Sequence, residues 1–279
     1  MRIMTGCLII VLLLLRINVH ARVRFTTLNR DIVQSRLQSY KGNDRQREMT
    51  LKQMFESAGC SGERLVEQTV KGLKEPNLIC TLTGHGDTVI LVGAHYDHAE
   101  LGEGVADNWT GASLLPSLYQ AMSSQQPRFS FVFVAFAGEE KGLVGSRYYV
   151  NQLTKESIAK IQAMICMDTL GLSTTEIWLA KSDTKLTSAL HRLGLALKLP
   201  RSAVNVDQVG DSDEEPFSQR RIPVLVVHSL TQETLGILHS PGDNYKVINF
   251  DHDYDSYRLL SAYLEVLDQT PVLTGTAAN

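Results

Sequence analysis

A chain of 279 residues, 43% of them hydrophobic and 20% charged, is long enough to bury a full core in one domain. The net charge of −3 argues against a nucleic-acid or membrane-surface role. No internal repeat, low-complexity tract or long Pro/Gly/Ser linker divides the chain, so a solenoid or a string of domains is not expected.

At the N-terminus, Met1-Arg2-Ile3-Met4 leads into the apolar run Leu8 to Leu15 and then Val19-His20-Ala21. This is the order of a basic segment, a short apolar core and a small-residue cleavage site, and it predicts a signal peptide over residues 1–21. The run is too short for a comfortable membrane span, although Arg16 just after it leaves an uncleaved anchor as the alternative. A mature chain starting near Arg22 would be secreted or periplasmic. In that oxidising setting Cys60 and Cys80, outside the signal and close in sequence, are expected to pair; the alternative is two buried thiols. Cys166, inside an apolar run, reads as a small core residue, and no CxxC spacing offers cysteine as a metal ligand.

Leu51, Met54, Phe55 and Ala58 recur at helical spacing within 45–59, with Gly59 as the stop. Leu186, Leu190, Leu193 and Leu197 form a second such face, and Tyr257, Leu260, Leu264 and Leu267 a third; all are packing surfaces. Between them lie three near-continuous apolar runs, rich in β-branched and aromatic residues and too short for helices. Val89 to Ala94 runs into His95, Phe131 to Phe136 into Gly138-Glu139-Glu140, and Ala163 to Met167 into Asp168. Such runs are buried central strands, and open α/β sheets carry their chemistry at strand carboxyl ends. The layout predicts a three-layer α/β/α sandwich around a mixed, mostly parallel sheet, with one domain over 22–269 and a flexible tail over 270–279.

Each strand end has a plainer reading taken alone. His95 could be a polar terminus, Asp107-Asn108 a turn, Glu139-Glu140 the acidic start of a helix over 141–148, Asp168 an N-cap and His239 a loop residue. Taken together, two histidines (His95, His239) and three carboxylates (Asp107, Glu140, Asp168) can hold two zinc ions if one carboxylate bridges them.

The ordered set resembles the M28 zinc peptidases. The resemblance rests on His95-Tyr96-Asp97, Asp107-Asn108, Glu139-Glu140, Asp168-Thr169-Leu170-Gly171 and His239-Ser240-Pro241, and covers roughly Arg30 to Leu267. It implies one zinc on Asp107, Glu140 and His239 and another on Asp107, His95 and Asp168, with Asp107 bridging. It further implies Glu139 as general base and acid, Asp97 as a hydrogen-bond partner that fixes the His95 tautomer, and a cis Asp107–Asn108 bond. The expected activity is that of a di-zinc exopeptidase acting on peptides, most simply an aminopeptidase and a monomer. A carboxypeptidase of the same family, a one-zinc glutaminyl-peptide cyclase on the same fold, and a metal-free binding ectodomain are the alternatives. Ala137-Gly138 before the glutamates resembles the peptidases rather than the cyclases, and retention of every ligand and of Glu139 argues against the ectodomain.

Three positions depart from the pattern or extend it. Where much of the family has Ser-Asp-His/Tyr, this chain has Ser212-Asp213-Glu214, and an ionised glutamate cannot donate a hydrogen bond to a developing oxyanion. His228, ending the run Val224 to Val227, could substitute, or be an ordinary structural histidine; Glu214 and Glu215 could attract an amine or form a solvated turn. Trp109, beside Asp107-Asn108, could wall an apolar pocket or pack under the following helix.

Overall fold

The computed structural model describes residues 25–205 and 210–270. The expected signal peptide and all of the tail beyond Thr270 lie outside these residues. Two helices, α1 (Arg30–Leu37) and α2 (Asp44–Ser57), precede the edge strand β1 (Leu65–Gln68). Then come β2 (Asn77–Leu82), β3 (Val89–His95), α3 (Thr110–Ser123), β4 (Ser130–Phe136), α4 (Val144–Gln152), α5 (Lys155–Lys160) and β5 (Ile161–Met167). The remaining elements are β6 (Thr175–Trp178), α6 (Thr184–Leu197), β7 (Arg201–Val204), α7 (Glu215–Gln219), β8 (Val224–His228) and α8 (Phe250–Gln269).

The eight strands form one sheet in the order β1-β2-β4-β3-β5-β8-β6-β7. The central run β4-β3-β5-β8 is parallel, as is β6 with β7; β1 with β2, β2 with β4, and β6 with β8 are antiparallel. The three strands read as buried runs are therefore neighbours pointing the same way.

Strand pleating splits each central run between two cores. Ile90, Val92, Phe131, Phe133, Ala163, Ile165, Leu225 and Val227 join the layer of α1, α2, α3, α6 and α8. Leu91, Val134, Phe136, Met164, Cys166, Val224 and Val226 join the opposite layer, where Tyr149, Val150 and Phe217 come from α4 and α7. A strand buried on both faces needs apolar residues at consecutive positions, so these runs do not alternate. On the second face Gly93 leaves room for an aromatic ring: a Cβ there would sit 2.5 Å from Phe136 Cε2.

The helical stripes fall where their spacing puts them. Leu51, Met54 and Phe55 are buried in α2, whose start is closed by a reciprocal Asn43–Gln46 capping box. Tyr257, Leu260, Leu264 and Leu267 are buried in α8, and Leu186 and Leu190 in α6, with Leu193 and Leu197 partly buried against the same core. Cys60 and Cys80 form a disulfide that ties the end of α2 to β2. Two plainer readings fail. No helix begins at Glu139, because Gly142 and Leu143 take left-handed backbone angles (φ 95° and 60°) and α4 starts only at Val144. Asp168 caps no helix either; it enters a turn before β6.

Candidate metal centre

Parallel β3, β4 and β5 deliver His95, the Glu139–Glu140 turn and Asp168 to one edge of the sheet. Asp107 arrives from the turn Val105–Trp109 ahead of α3, and the Asp107–Asn108 bond is cis. His239 lies on the loop between β8 and α8. Donor atoms of His95, Asp107 and Asp168 lie within 4.8 Å of one another, and so do those of Asp107, Glu140 and His239. Asp107 belongs to both clusters through different oxygens. Its Oδ1 is 3.2 Å from His95 Nε2, and its Oδ2 is 3.2 Å from His239 Nε2. His95 Nε2 is 3.7 Å from Asp168 Oδ1, and His239 Nε2 is 3.0 Å from Glu140 Oε2.

The donor set fits divalent metal. His95 Nε2 and Glu140 Oε1 are buried with no hydrogen-bond partner among the described residues, an expensive arrangement unless a cation satisfies them. Electrostatics say the same. Burial and the neighbouring Asp213, Asp168 and Asp107 push the Glu139 carboxyl far above the usual range, with His95 only partly opposing them. Burial, then Asp107, raises Glu140. Contact with Asp107 carries His239 up to about 9. Burial opposes a charge on His95, but Glu139, Asp107, Asp168 and Asp97 together hold its pKa well above normal. A pocket whose acids repel one another and whose imidazoles are drawn toward protonation is short of positive charge. Glu139 stands outside both clusters, beside them on the wall of the cleft.

Several side chains hold this arrangement. Asp97 does so differently from expectation: its carboxylate accepts the backbone N–H groups of Glu139 (3.1 Å) and Glu140 (3.2 Å). The nearer partner of His95 Nδ1 is the Asp97 carbonyl oxygen at 3.2 Å, with the carboxylate at 3.7 Å. The buried Asn108 side chain donates to Met167 O (2.8 Å) and accepts from the N–H of Thr169 (3.1 Å) and Gly111 (3.1 Å), joining the Asp107 turn to the Asp168 turn. Only glycine fits at 111, where a Cβ would meet Asn108 Oδ1 at 2.5 Å and Met167 O at 2.9 Å. Ser212 Oγ donates to Asp168 Oδ2 at 2.6 Å. Thr169 and His239 both hold left-handed backbone angles (φ 57° and 52°), uncommon for such residues and frequent at working sites.

Two holders escaped the sequence reading. Arg47, fully buried on α2, donates to the carbonyls of Tyr40 (3.2 Å), Tyr96 (3.2 Å), Gly104 (3.1 Å) and Glu103, gripping the chain just after His95 and just before Asp107. Asp243 accepts from Ala106 and Asp107. The spacing His239-Ser240-Pro241-Gly242-Asp243 was the available signal for the second; Arg47 had none beyond a charge interrupting a helical stripe.

A cleft of about 530 Å³ opens beside the clusters. Glu139, Asp168 and His239 line one part of it, Trp178, Leu230 and Leu238 another. Trp109 is not in it. That ring is fully buried under α1, its Nε1 donating to Arg36 O at 3.2 Å. Trp178, from a strand too short to announce itself, is the tryptophan of the cleft. Glu214 is not a solvated turn: it is buried and its Oε1 lies 3.1 Å from Lys181 Nζ, while Glu215 pairs with Arg147 at 2.6 Å.

An open α/β sandwich with paired carboxylate–imidazole clusters sharing one aspartate is the framework of a two-metal hydrolase. The chain belongs to peptidase family M28, whose sequence model matches residues 77–264. It is 29% identical over 177 residues to leupeptin-inactivating enzyme 1 of Streptomyces exfoliatus, covering 63% of this chain and 37% of that protein. It is 26% identical over 189 residues to aminopeptidase YwaD of Bacillus subtilis, covering 65% and 40%. The matched region thus spans about two fifths of these relatives. In fold the chain is similar to the LapA aminopeptidase of Legionella pneumophila (TM-score 0.76, 20% identity, covering 86% of this chain and 72% of that one). It is likewise similar to a glutaminyl cyclase from an Acidobacteriales bacterium (TM-score 0.75, 18% identity, covering 89% and 98%).

Proposed function

We propose that the protein is a zinc exopeptidase that removes residues from the N-terminus of peptides. The observation that carries this reading is the division of labour at the site: Asp107 shared between two donor clusters, with the adjacent Glu139 left free of both. Zinc held by His95, Asp107 and Asp168 and by Asp107, Glu140 and His239 would supply an electrophile for the scissile carbonyl and lower the proton affinity of the attacking water. Glu139 takes that proton and hands it to the departing amine. Asp97 fixes the Glu139–Glu140 turn by binding both of its N–H groups, so one glutamate faces metal and the other faces the reacting bond.

The test is Glu139→Ala in the zinc-loaded protein. It should keep its metal and its fold while kcat falls roughly 10²–10⁴-fold; Glu140→Ala should lose metal instead. Unchanged turnover in Glu139→Ala would sink the mechanism. A panel of peptides with free and acetylated N-termini decides the direction of attack, since equal cleavage of blocked peptides removes the aminopeptidase reading.

A second reading, cyclisation of N-terminal glutamine, draws support from the near-complete coverage of the cyclase by this chain. Ala137-Gly138 before the paired glutamates favours the peptidase. Peptides beginning with glutamine separate the two: the cyclase releases ammonia and leaves the chain length unchanged.

We also propose export, with the mature protein beginning near Arg22 and acting as a monomer. The Cys60–Cys80 disulfide supports an oxidising compartment. N-terminal sequencing of the protein from its natural host, with its recovery outside the cytoplasm, tests this; a full-length cytoplasmic chain overturns it.

A further inference from the structure

The reaction proposed above develops negative charge on the scissile carbonyl oxygen, and Glu214, at the position where a donor was sought, is not among the residues that line the cleft. Its carboxylate is buried against Lys181, 3.1 Å from Nζ. A residue that does line the cleft has a hydrogen to spare.

His228 ends β8, the strand next to β5. The β5–β8 register pairs Cys166 with Val226 and Met167 with Val227, so the next step along sets His228 beside Asp168 on the same face of the sheet. The ring lines the cleft together with Glu139, Asp168 and His239. Its Nδ1 accepts the N–H of Leu230 at 3.0 Å. A nitrogen that accepts carries no proton, so the hydrogen of the neutral ring sits on Nε2. Burial keeps the ring neutral, drawing its pKa down to about 4 although Asp168 pulls the other way. The residue is 2% exposed, and Nε2 has no hydrogen-bond partner among the described residues. Trp178 packs edge-on at 6.0 Å between ring centroids and helps keep the ring in place.

A buried N–H without an acceptor destabilises the fold. Here the backbone of Leu230 enforces the tautomer that creates the unpaired donor, and the residue that carries it lines the cleft. Donors of this kind, fixed and desolvated before the substrate arrives, stabilise charge that appears only in the transition state.

We propose that His228 Nε2–H is the donor to the oxygen of the scissile carbonyl as it becomes an oxyanion, a role for which Glu214, outside the cleft lining, is not placed. The proposal rests on the peptidase reading and adds a catalytic residue to it. No proton is transferred to or from His228; it holds its hydrogen throughout and Glu139 moves the proton.

The test uses the zinc-loaded full chain. His228→Phe removes the donor while keeping a flat ring against Trp178, and His228→Gln returns an amide N–H near the Nε2 position. With a cleavable N-terminal leucine peptide, His228→Phe should lose roughly 10²–10³-fold in kcat with little change in KM. His228→Gln should recover part of that loss. Affinity for 1-amino-3-methylbutylphosphonic acid, whose tetrahedral oxygens imitate the oxyanion, should fall by a similar factor, while affinity for the product leucine stays level. Full kcat and full phosphonate affinity in a folded, zinc-loaded His228→Phe overturn the proposal.

Imidazole nitrogen NMR on the wild type gives a reading independent of turnover and of whether the variants fold. Nε2 should be the protonated nitrogen, and its resonance should move when the phosphonate binds. A proton on Nδ1, or no movement at saturation, overturns the proposal. A wild type that cleaves no peptide would overturn the peptidase reading, and the NMR titration would still decide whether His228 donates.

Discussion

Asp243 accepts the backbone N–H of Asp107 at 3.1 Å on one carboxylate oxygen and that of Ala106 at 2.7 Å on the other. It follows His239 by four residues, so the loop bearing the last donor is stitched to the turn bearing the shared one. Replacing Asp243 by alanine leaves two buried N–H groups unpaired and frees the two donors to drift apart. Zinc affinity should fall roughly 10–100-fold, the usual cost of removing a group that orients ligands. Competition with a chelator measures it, and unchanged affinity would show that the loops hold their spacing without the strap.

Removing donors one at a time should separate the two clusters. Asp107→Ala takes an oxygen from each and should lower metal content at both. His95→Ala should mainly empty the cluster it shares with Asp168, and His239→Ala the one it shares with Glu140. Elemental analysis of the purified variants reads the stoichiometry directly. Equal loss of all metal in the three variants would mean that the clusters bind as one unit.

Much of this site was legible in the sequence because three central strands are continuous apolar runs that end at His95, the Glu139–Glu140 turn and Asp168. His95, Glu140 and Asp168 could be placed on one edge from that alone, and Asp107 and His239 came from their order along the chain. What the sequence hid is held by distance. Arg47 acts on carbonyls about fifty residues away, through backbone atoms that every residue carries. Trp178 reaches the cleft because β6 runs antiparallel to β8, a pairing that a strand of four residues does not advertise. Trp109, beside Asp107-Asn108, was open to two readings, a pocket wall or a structural aromatic, and it is the second: its indole packs under α1. The Glu214–Lys181 pair was invisible for the same reason: neither residue signals its partner.

Asp253, in the first turns of α8, is fully buried and neither of its oxygens has a hydrogen-bond partner among the described residues. Burial lifts its carboxyl from an ordinary 3.8 to about 7. Because the folded form holds the proton more tightly than the unfolded form, stability from this group is full below pH ~4 and is lost as pH rises toward 7. Asp253→Asn removes that dependence. Relative to wild type it should gain stability progressively between pH 4 and 7, by up to about 4 kcal/mol, and no further above. Denaturant melts at pH 4, 6 and 8 check this; a constant difference across the three would show that Asp253 binds its proton equally in the folded and unfolded chain.

The Cys60–Cys80 bond closes a loop with a sequence separation of 20, and both residues are fully buried. Opening it by a Cys60→Ala, Cys80→Ala double replacement should cost about 3 kcal/mol through freedom returned to the unfolded chain. Thermal melts with and without reductant should show the same loss in the wild type. A wild type indifferent to reductant would show that the packing of α2 against β2 suffices without the bond.

The grip of Arg47 on Tyr96, Glu103 and Gly104 reaches past its immediate contacts. Both feet of the 97–103 segment are clamped to one helix, and the carbonyl of Asp243 takes the N–H of Glu103 at 2.7 Å, so the segment is fastened near its two ends. Its crest carries Leu101, 59% exposed. Lengthening a loop whose ends are already pinned adds little closure entropy, about 0.6 kcal/mol for each doubling. The crest is therefore a place where this scaffold can accept new chain. Residues inserted between Glu100 and Leu101 should leave zinc content untouched, which elemental analysis of the variant checks.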